Sequence, residues 1–107
     1  MRPLDTVIDS FVKEAQRDYV SLPLLVYAAK VDLGAHTPDE LRKATLGLVG
    51  RLYDKGLRPG DYDDEPFKPW LDEGRQAALA RIEREWIAFG KVPNLGHSIC
   101  WFELKRD

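Results

Sequence analysis

This chain is poor in the side chains that carry chemistry or hold metals. Among its 107 residues there are one cysteine and two histidines. A single cysteine excludes an intramolecular disulfide and fits a reducing compartment such as the cytosol. Structural zinc takes about four ligands, commonly Cys and His. His36, His97 and Cys100 are too few for that and show no paired spacing. Long apolar runs are also missing. The longest, LPLLVYAA from Leu22 to Ala29, falls far short of the roughly 20 residues that cross a bilayer. The opening MRPLDTVIDSF holds no apolar stretch of signal-peptide length. A cytoplasmic protein without a membrane partner is therefore expected. No strong net charge is present either. At −2 the molecule as a whole sets up no field that gathers nucleic acid.

Repeats, low-complexity tracts and Gly/Ser linkers are absent, so residues 1–107 read as a single domain. Its composition, 44% hydrophobic and 32% charged, is that of a globular chain able to bury one core without a metal or disulfide.

Catalytic signatures are equally scarce. Gly47 and Gly50 fall inside a helical pattern, not between a strand and a helix, so they form no phosphate loop. Ser10, Ser21 and Ser98 lack the context of a nucleophile elbow. The acidic run DYDDE lacks the glycine-centred loop of a calcium site. In the closing stretch GHSICWFELK, His97 and Cys100 are three residues apart. On a regular strand that odd spacing sends them to opposite faces and denies the contact a Cys–His dyad needs. Cys100 shares a face with Phe102 and Leu104 and reads as a small core residue. The expectation is a non-enzymatic protein with no catalytic residue, no metal and no cofactor.

What the chain does have is helical periodicity. A first helix is predicted from about Thr6 to Tyr19, with Leu4, Val7, Ile8, Phe11, Ala15 and Tyr19 on one face and Thr6 and Asp9 forming a capping box. Tyr19 to Leu22 has the residues of a short strand. A second helix, about Leu22 to Leu33, starts at Ser21-Leu22-Pro23, stops at Gly34 and is apolar almost all round, which predicts a buried central helix. The third is the clearest. Thr37 caps it, Pro38 takes the first turn, Glu40 completes a capping box and Gly56 closes it. Its stripe is Leu41, Leu48 and Leu52, with Ala44, Thr45, Val49 and Tyr53. Gly47 and Gly50 lie outside that stripe and allow a close approach there, either by another segment of the chain, which is the stronger expectation, or by a partner. LRPGDY reads as a short strand or turn. Pro66 and Pro69 forbid helix in the following acidic loop, which Phe67 and Trp70 anchor. A fourth helix, about Glu73 to Phe89, is capped by Asp72, buries Ala78, Ile82, Trp86 and Phe89, and turns Arg75, Arg81, Glu83 and Arg84 outward. Ser98 to Leu104 is rich in β-formers.

Together these predict an α+β fold, mainly helical and winged-helix-like, with four helices and a small antiparallel sheet. The fourth helix would be inserted between the two wing strands. In that arrangement the third helix is the candidate for the DNA major groove, and Arg42, Lys43 and Arg51 are the nucleic-acid-binding candidates. Its outer face is mixed in charge and offers no Asn or Gln to read adenine, so a nucleic-acid partner is the weaker expectation.

The sharper charge feature is acidic. From Asp61 to Glu73 six acids stand against one base, Lys68. Asp61, Asp63, Asp64 and Glu65 are the candidate partner-binding residues. The C-terminal half also carries a pattern: G-L-x-x-G-D at Gly56, Leu57, Gly60 and Asp61, then F-x-x-W at Phe67 and Trp70. I-x-x-E-W-x-x-x-G-x-x-P-x-L-G follows at Ile82, Glu85, Trp86, Gly90, Pro93, Leu95 and Gly96, then W-F at Trp101 and Phe102. The pattern spans residues 56–102 and resembles a family of small bacterial proteins similar to immunity-type proteins. The resemblance implies a bacterial protein that neutralises a toxin by binding it, with its three tryptophans supplying core. An acidic face would then meet a basic toxin domain.

Overall fold

The computed structural model describes residues 2–64 and 66–105. These form an α+β fold with the element order α1 (Leu4–Ala15), β1 (Val20–Ser21), α2 (Leu22–Val31), α3 (Pro38–Asp54), β2 (Leu57–Asp61), β3 (Lys68–Pro69), α4 (Arg75–Phe89) and β4 (Trp101–Leu104). Four helices and one four-stranded antiparallel sheet are thus present among the described residues, as expected.

The sheet order is β1-β4-β2-β3. The last strand lies between the first two: Val20 pairs with Phe102 on one side of β4, and Pro59 pairs with Phe102 on the other. β2 and β4 are antiparallel over Leu57–Leu104 to Gly60–Trp101, with β3 and α4 between them in sequence. β3 lengthens the edge through Gly60–Pro69 and Asp61–Lys68, inside a stretch expected to be only loop. The core gathers Val7 and Ile8 of α1, Leu22 and Leu25 of α2, Leu48 and Leu52 of α3, Ile82 of α4, and Val20, Leu57 and Phe102 of the sheet. Each such side chain contributes about 1.5–3 kcal/mol by leaving water.

The capping box of α3 forms as its sequence dictates. Glu40 N–H donates to Thr37 Oγ1 at 3.1 Å, and Glu40 Oε1 accepts from Thr37 N–H at 3.0 Å. Other boundaries differ from expectation. α1 starts two residues early, behind Pro3, and has no side-chain cap; the Thr6–Asp9 box does not form, and Thr6 is already inside the helix. The same helix ends at Ala15, where residues 16–18 turn into β1. α4 begins only at Arg75, behind Gly74 in a left-handed backbone conformation (φ 102°), so Asp72 is not its cap. β4 is shorter than predicted, because Ile99 has φ 67° and breaks the extended chain before Trp101.

Two corrections concern burial. Only Trp86 of the three tryptophans is buried; Trp70 and Trp101 are half-buried at the surface. α2 is not enclosed. It buries Leu22, Leu25, Val26, Ala28 and Ala29, but Leu24, Tyr27 and Val31 are 45%, 66% and 52% exposed. Three other helices and the sheet cover only part of its circumference in a domain of this size.

Candidate functional site: an acidic concavity beside an apolar groove

The end of β2 and the loop after it are held in place by aromatic packing. Tyr19 stacks on Phe67 with ring centres 4.8 Å apart, and Tyr62 lies 4.6 Å from Tyr19 and 5.5 Å edge-on from Trp101. Phe67 therefore anchors the acidic loop to the core, as its position predicted. Trp70 is fixed on two sides: its Nε1–H donates to Asp61 Oδ1 at 3.0 Å, and the Arg81 guanidinium lies 3.6 Å above its ring. A second lock holds the chain before α4. Asp72 accepts from the Tyr53 hydroxyl, from Arg58 Nε at 3.0 Å and from Gly74 N–H at 3.2 Å. The Tyr53 hydroxyl above all, then Gly74 N–H and Arg58, hold the Asp72 carboxyl below its ordinary range, while the same bond raises the Tyr53 phenol.

This framework shapes a concavity of about 420 Å³ between residues 61–63, Glu85 of α4 and residues 95–101. Its charged lining is Asp61, Asp63 and Glu85, with Tyr62 and Trp101 as aromatic walls and no Lys or Arg. Asp61 spends one oxygen on Trp70, and Glu85 accepts from Arg81 Nε at 2.7 Å. Asp63 and Asp64 are exposed and have no ion pair among the described residues. Glu65 lies outside the described residues. Among the described residues no three His, Cys, Asp or Glu converge as a metal site requires. The acids are spread along a surface. Acids lining an aromatic-walled hollow suit the guanidinium or ammonium of a partner's Arg or Lys.

Ile99 sits in the wall of this concavity with a positive φ, a conformation that costs a β-branched residue about 1–3 kcal/mol. The neighbouring backbone holds it there: Leu22 N–H donates to Cys100 O at 3.1 Å. Cys100 itself is buried, and burial pushes its thiol well above the ordinary range. His97 turns away to stack on Phe89 at 4.1 Å. The alternation argument for separating the pair is replaced, since residues 97–100 are not strand; the ring stack and the buried thiol take its place.

The alternative basic set is dispersed and paired. Arg42 bonds Asp39 at 2.8 Å and approaches Glu83 at 4.0 Å, Lys43 meets Asp39 at 3.0 Å, and Arg51 meets Asp5 at 2.8 Å. Lys43 with Arg42, most of all Lys43, lowers the Asp39 carboxyl. Gly50 is covered by Arg75, which donates to Gly50 O at 3.3 Å and meets Asp54 at 3.2 Å. This is the intrachain packing anticipated for a glycine on that face, made by α4. Arg75 and Arg81 keep to the outer side of α4 as expected, with side chains 39% and 40% exposed, and lie over Gly50 and the Trp70 ring. Gly47 has open space above it.

Sequence reasoning missed the neighbouring surface. An open apolar groove of about 770 Å³ runs between α2 and residues 92–96, lined by Leu24, Tyr27, Leu41, Val92 and Leu95. Leu95 and Gly96 line both groove and concavity, so the two share a wall. The available signal was the all-round apolarity of α2, which a docking face explains as well as a core position does. No helix among the described residues is long and apolar enough to cross a membrane. Compared with protein-family models, with curated proteins and with solved structures, the chain matches none.

Proposed function

We propose that this protein works in the cytoplasm by binding another protein, without catalysis, and that it is an immunity or antitoxin-like inhibitor whose partner is a basic bacterial toxin domain. The observation that carries the reading is the concavity bounded by Asp61, Asp63 and Glu85, with Tyr62 and Trp101 beside them and no Lys or Arg in its lining. Such a surface desolvates a partner's Arg or Lys against both carboxylate and aromatic ring, which supplies specificity and a fast electrostatic approach. An inhibitor of this kind needs a rigid acidic face, and the locks on Trp70 and Asp72 provide rigidity. The fold reading that accompanies it is a winged-helix-like domain in which β2 and β4 form the wing and β3 and α4 are inserted in it; the central place of β4 supports this. A regulator binding DNA through Arg42, Lys43 and Arg51 is the less supported role, because each of these bases already meets a carboxylate of its own chain.

The test is binding to two probes, an arginine-rich peptide and a mixed-sequence DNA duplex, followed by fluorescence anisotropy at low and moderate salt. The peptide is expected to bind, to weaken as salt rises, and to lose at least tenfold in affinity with Asp63→Lys/Asp64→Lys. That pair leaves the Asp61–Trp70 bond intact. Duplex binding that Lys43→Glu abolishes, with the peptide unbound, would overturn the proposal.

A further inference from the structure

We infer that the hollow between residues 70–74 and α4 is a binding site for a small phosphomonoester, held by Arg58, Arg81 and Arg84. The hollow has a volume of about 230 Å³. Trp70 and Arg81 line it, while their partners Asp61 and Glu85 line the acidic concavity, so this pair stands between the two. The charge of its lining is of the other sign: three arginines against Asp72 and Glu73.

The balance of donors and acceptors decides what the hollow takes. Arg84 is exposed and makes no hydrogen bond or ion pair among the described residues. Arg81 spends its Nε on Glu85, and Arg58 spends Nε and Nη1 on Asp72 and two backbone oxygens. Both terminal nitrogens of Arg81, Nη2 of Arg58 and the whole guanidinium of Arg84 remain as donors. Acceptors are fewer. Asp72 is occupied by Tyr53, Arg58 and Gly74, which leaves the exposed Glu73. Two of the arginines are also fixed by rings: Arg81 lies 3.6 Å over Trp70, and Arg58 lies 3.7 Å over Tyr53. A stacked guanidinium offers its in-plane N–H edge, which grips an oxyanion with two parallel bonds. Arg81 and Arg84, three residues apart on α4, are neighbours on its surface. A phosphate ester, with three free oxygens and nearly two charges, uses more of this surplus than a carboxylate does. Leu71, Pro59, Ala77 and Ala78 supply apolar walls for the organic group of the ester. The volume, below the roughly 300–1,000 Å³ of drug-sized sites, limits that group to about one ring.

Titration of the full chain with phenyl phosphate, inorganic phosphate and benzoate, followed by amide and indole shifts in NMR spectra, tests this. Phenyl phosphate is expected to saturate the protein with a dissociation constant of about 1 mM. The shifts should centre on Trp70 Nε1–H and on the amides of Ala77 and Ala78. Inorganic phosphate, which lacks the ring, and benzoate, which lacks the third oxygen, should each bind about fivefold more weakly or worse. Arg84→Ala, which breaks no contact among the described residues, should weaken phenyl phosphate about fivefold or more. Arg81→Lys keeps the charge but loses the fork and should weaken it about threefold or more. Arg17→Ala, at an arginine paired with Glu14 outside the hollow, should leave it unchanged. No saturable shift, shifts centred elsewhere, or equal affinity in wild type and Arg84→Ala would overturn the inference. Inorganic phosphate or benzoate bound as tightly as phenyl phosphate would do the same. None of these outcomes bears on the acidic concavity, whose test uses Asp63 and Asp64.

Discussion

Replacing Gly60 by alanine should unseat the acidic loop, and the size of the effect follows from its surroundings. A Cβ on Gly60 would stand 2.5 Å from Phe67 Cζ and 2.6 Å from the backbone oxygen of Lys68. The first neighbour belongs to a ring stacked on Tyr19 and the second to the strand paired with Gly60 itself, so neither can swing aside as a surface side chain would. Overpacking of this kind costs about 1–3 kcal/mol. The upper half of that range applies here, because relief requires β3 to part from β2. For a domain of about 100 residues each kcal/mol moves the melting temperature by roughly 4–8 °C, so a fall on the order of 10–20 °C is expected. Two other glycines calibrate the reasoning. Gly47→Ala meets nothing within 4 Å and should stabilise by about 1 kcal/mol through helix propensity alone. At Gly50 the new methyl group would press on the Arg75 guanidinium, which can move, so the propensity gain and the loss of the Arg75 contacts should nearly cancel. Urea unfolding of the three variants, with near-ultraviolet circular dichroism for the aromatic cluster, measures all of this. A Gly60→Ala protein as stable as the wild type would refute the close packing of β3 on β2 from which the concavity is built.

Adjacent leucines of α2 should behave oppositely: Leu25→Ala should cost about 2–5 kcal/mol in denaturant unfolding because Leu25 is buried. Leu24→Ala should change stability by about 0.5 kcal/mol or less, and equal losses would contradict the exposed face. Cys100 should resist a thiol reagent in the native protein at pH 8 and react fully in urea, since its thiol is buried and its ionisation suppressed; rapid native labelling would show an open site. Asp72→Asn should lower stability at neutral pH. A carboxylate with a depressed native pKa stabilises above its unfolded value and ceases to do so as pH falls through the native one. The gap between wild type and variant should therefore close below about pH 4. A gap that stays constant down to pH 2 would mean that Asp72 is not held as an anion.

Much of this architecture is legible in the residue order, because the decisive signals are local. Thr37, Pro38 and Glu40 fix the start of α3 through contacts within four residues, and Gly90 ends α4 in a left-handed conformation. Pro23 lies in the first turn of α2, where its fixed φ suits a helix start, while Ser21 takes the cap position without a side-chain hydrogen bond. What local signals cannot specify is which apolar face finds a neighbour. Tyr27 and Leu25 are equally apolar choices on one helix, and only the arrangement of α1, α3 and the sheet leaves Tyr27 outside. Asp72 reads as a helix cap but binds Tyr53 and Arg58, nineteen and fourteen residues away. The left-handed Ile99 has no sequence signature, since such residues are ordinarily glycine or asparagine. The candidate site was visible only as an acidic run. Its depth comes from Glu85 and residues 95–101, which the fold brings to Asp61 and Asp63. Of the basic residues of α3, Arg51 looked available because its partner, Asp5 on α1, is remote in sequence, whereas Arg42 and Lys43 meet Asp39, three and four residues away on the same helix, a pairing the spacing already offered.

The most direct test of the central claim is affinity capture of the tagged protein from lysate of its own cells after nuclease treatment. Wild type is run beside Asp63→Lys/Asp64→Lys, and the co-eluting material is identified and quantified by mass spectrometry. A basic protein recovered in stoichiometric amount by the wild type, and lost with the charge-reversed variant, is the predicted result. Nucleic acid recovered from untreated lysate with no protein partner, or a partner held equally by both forms, would contradict it.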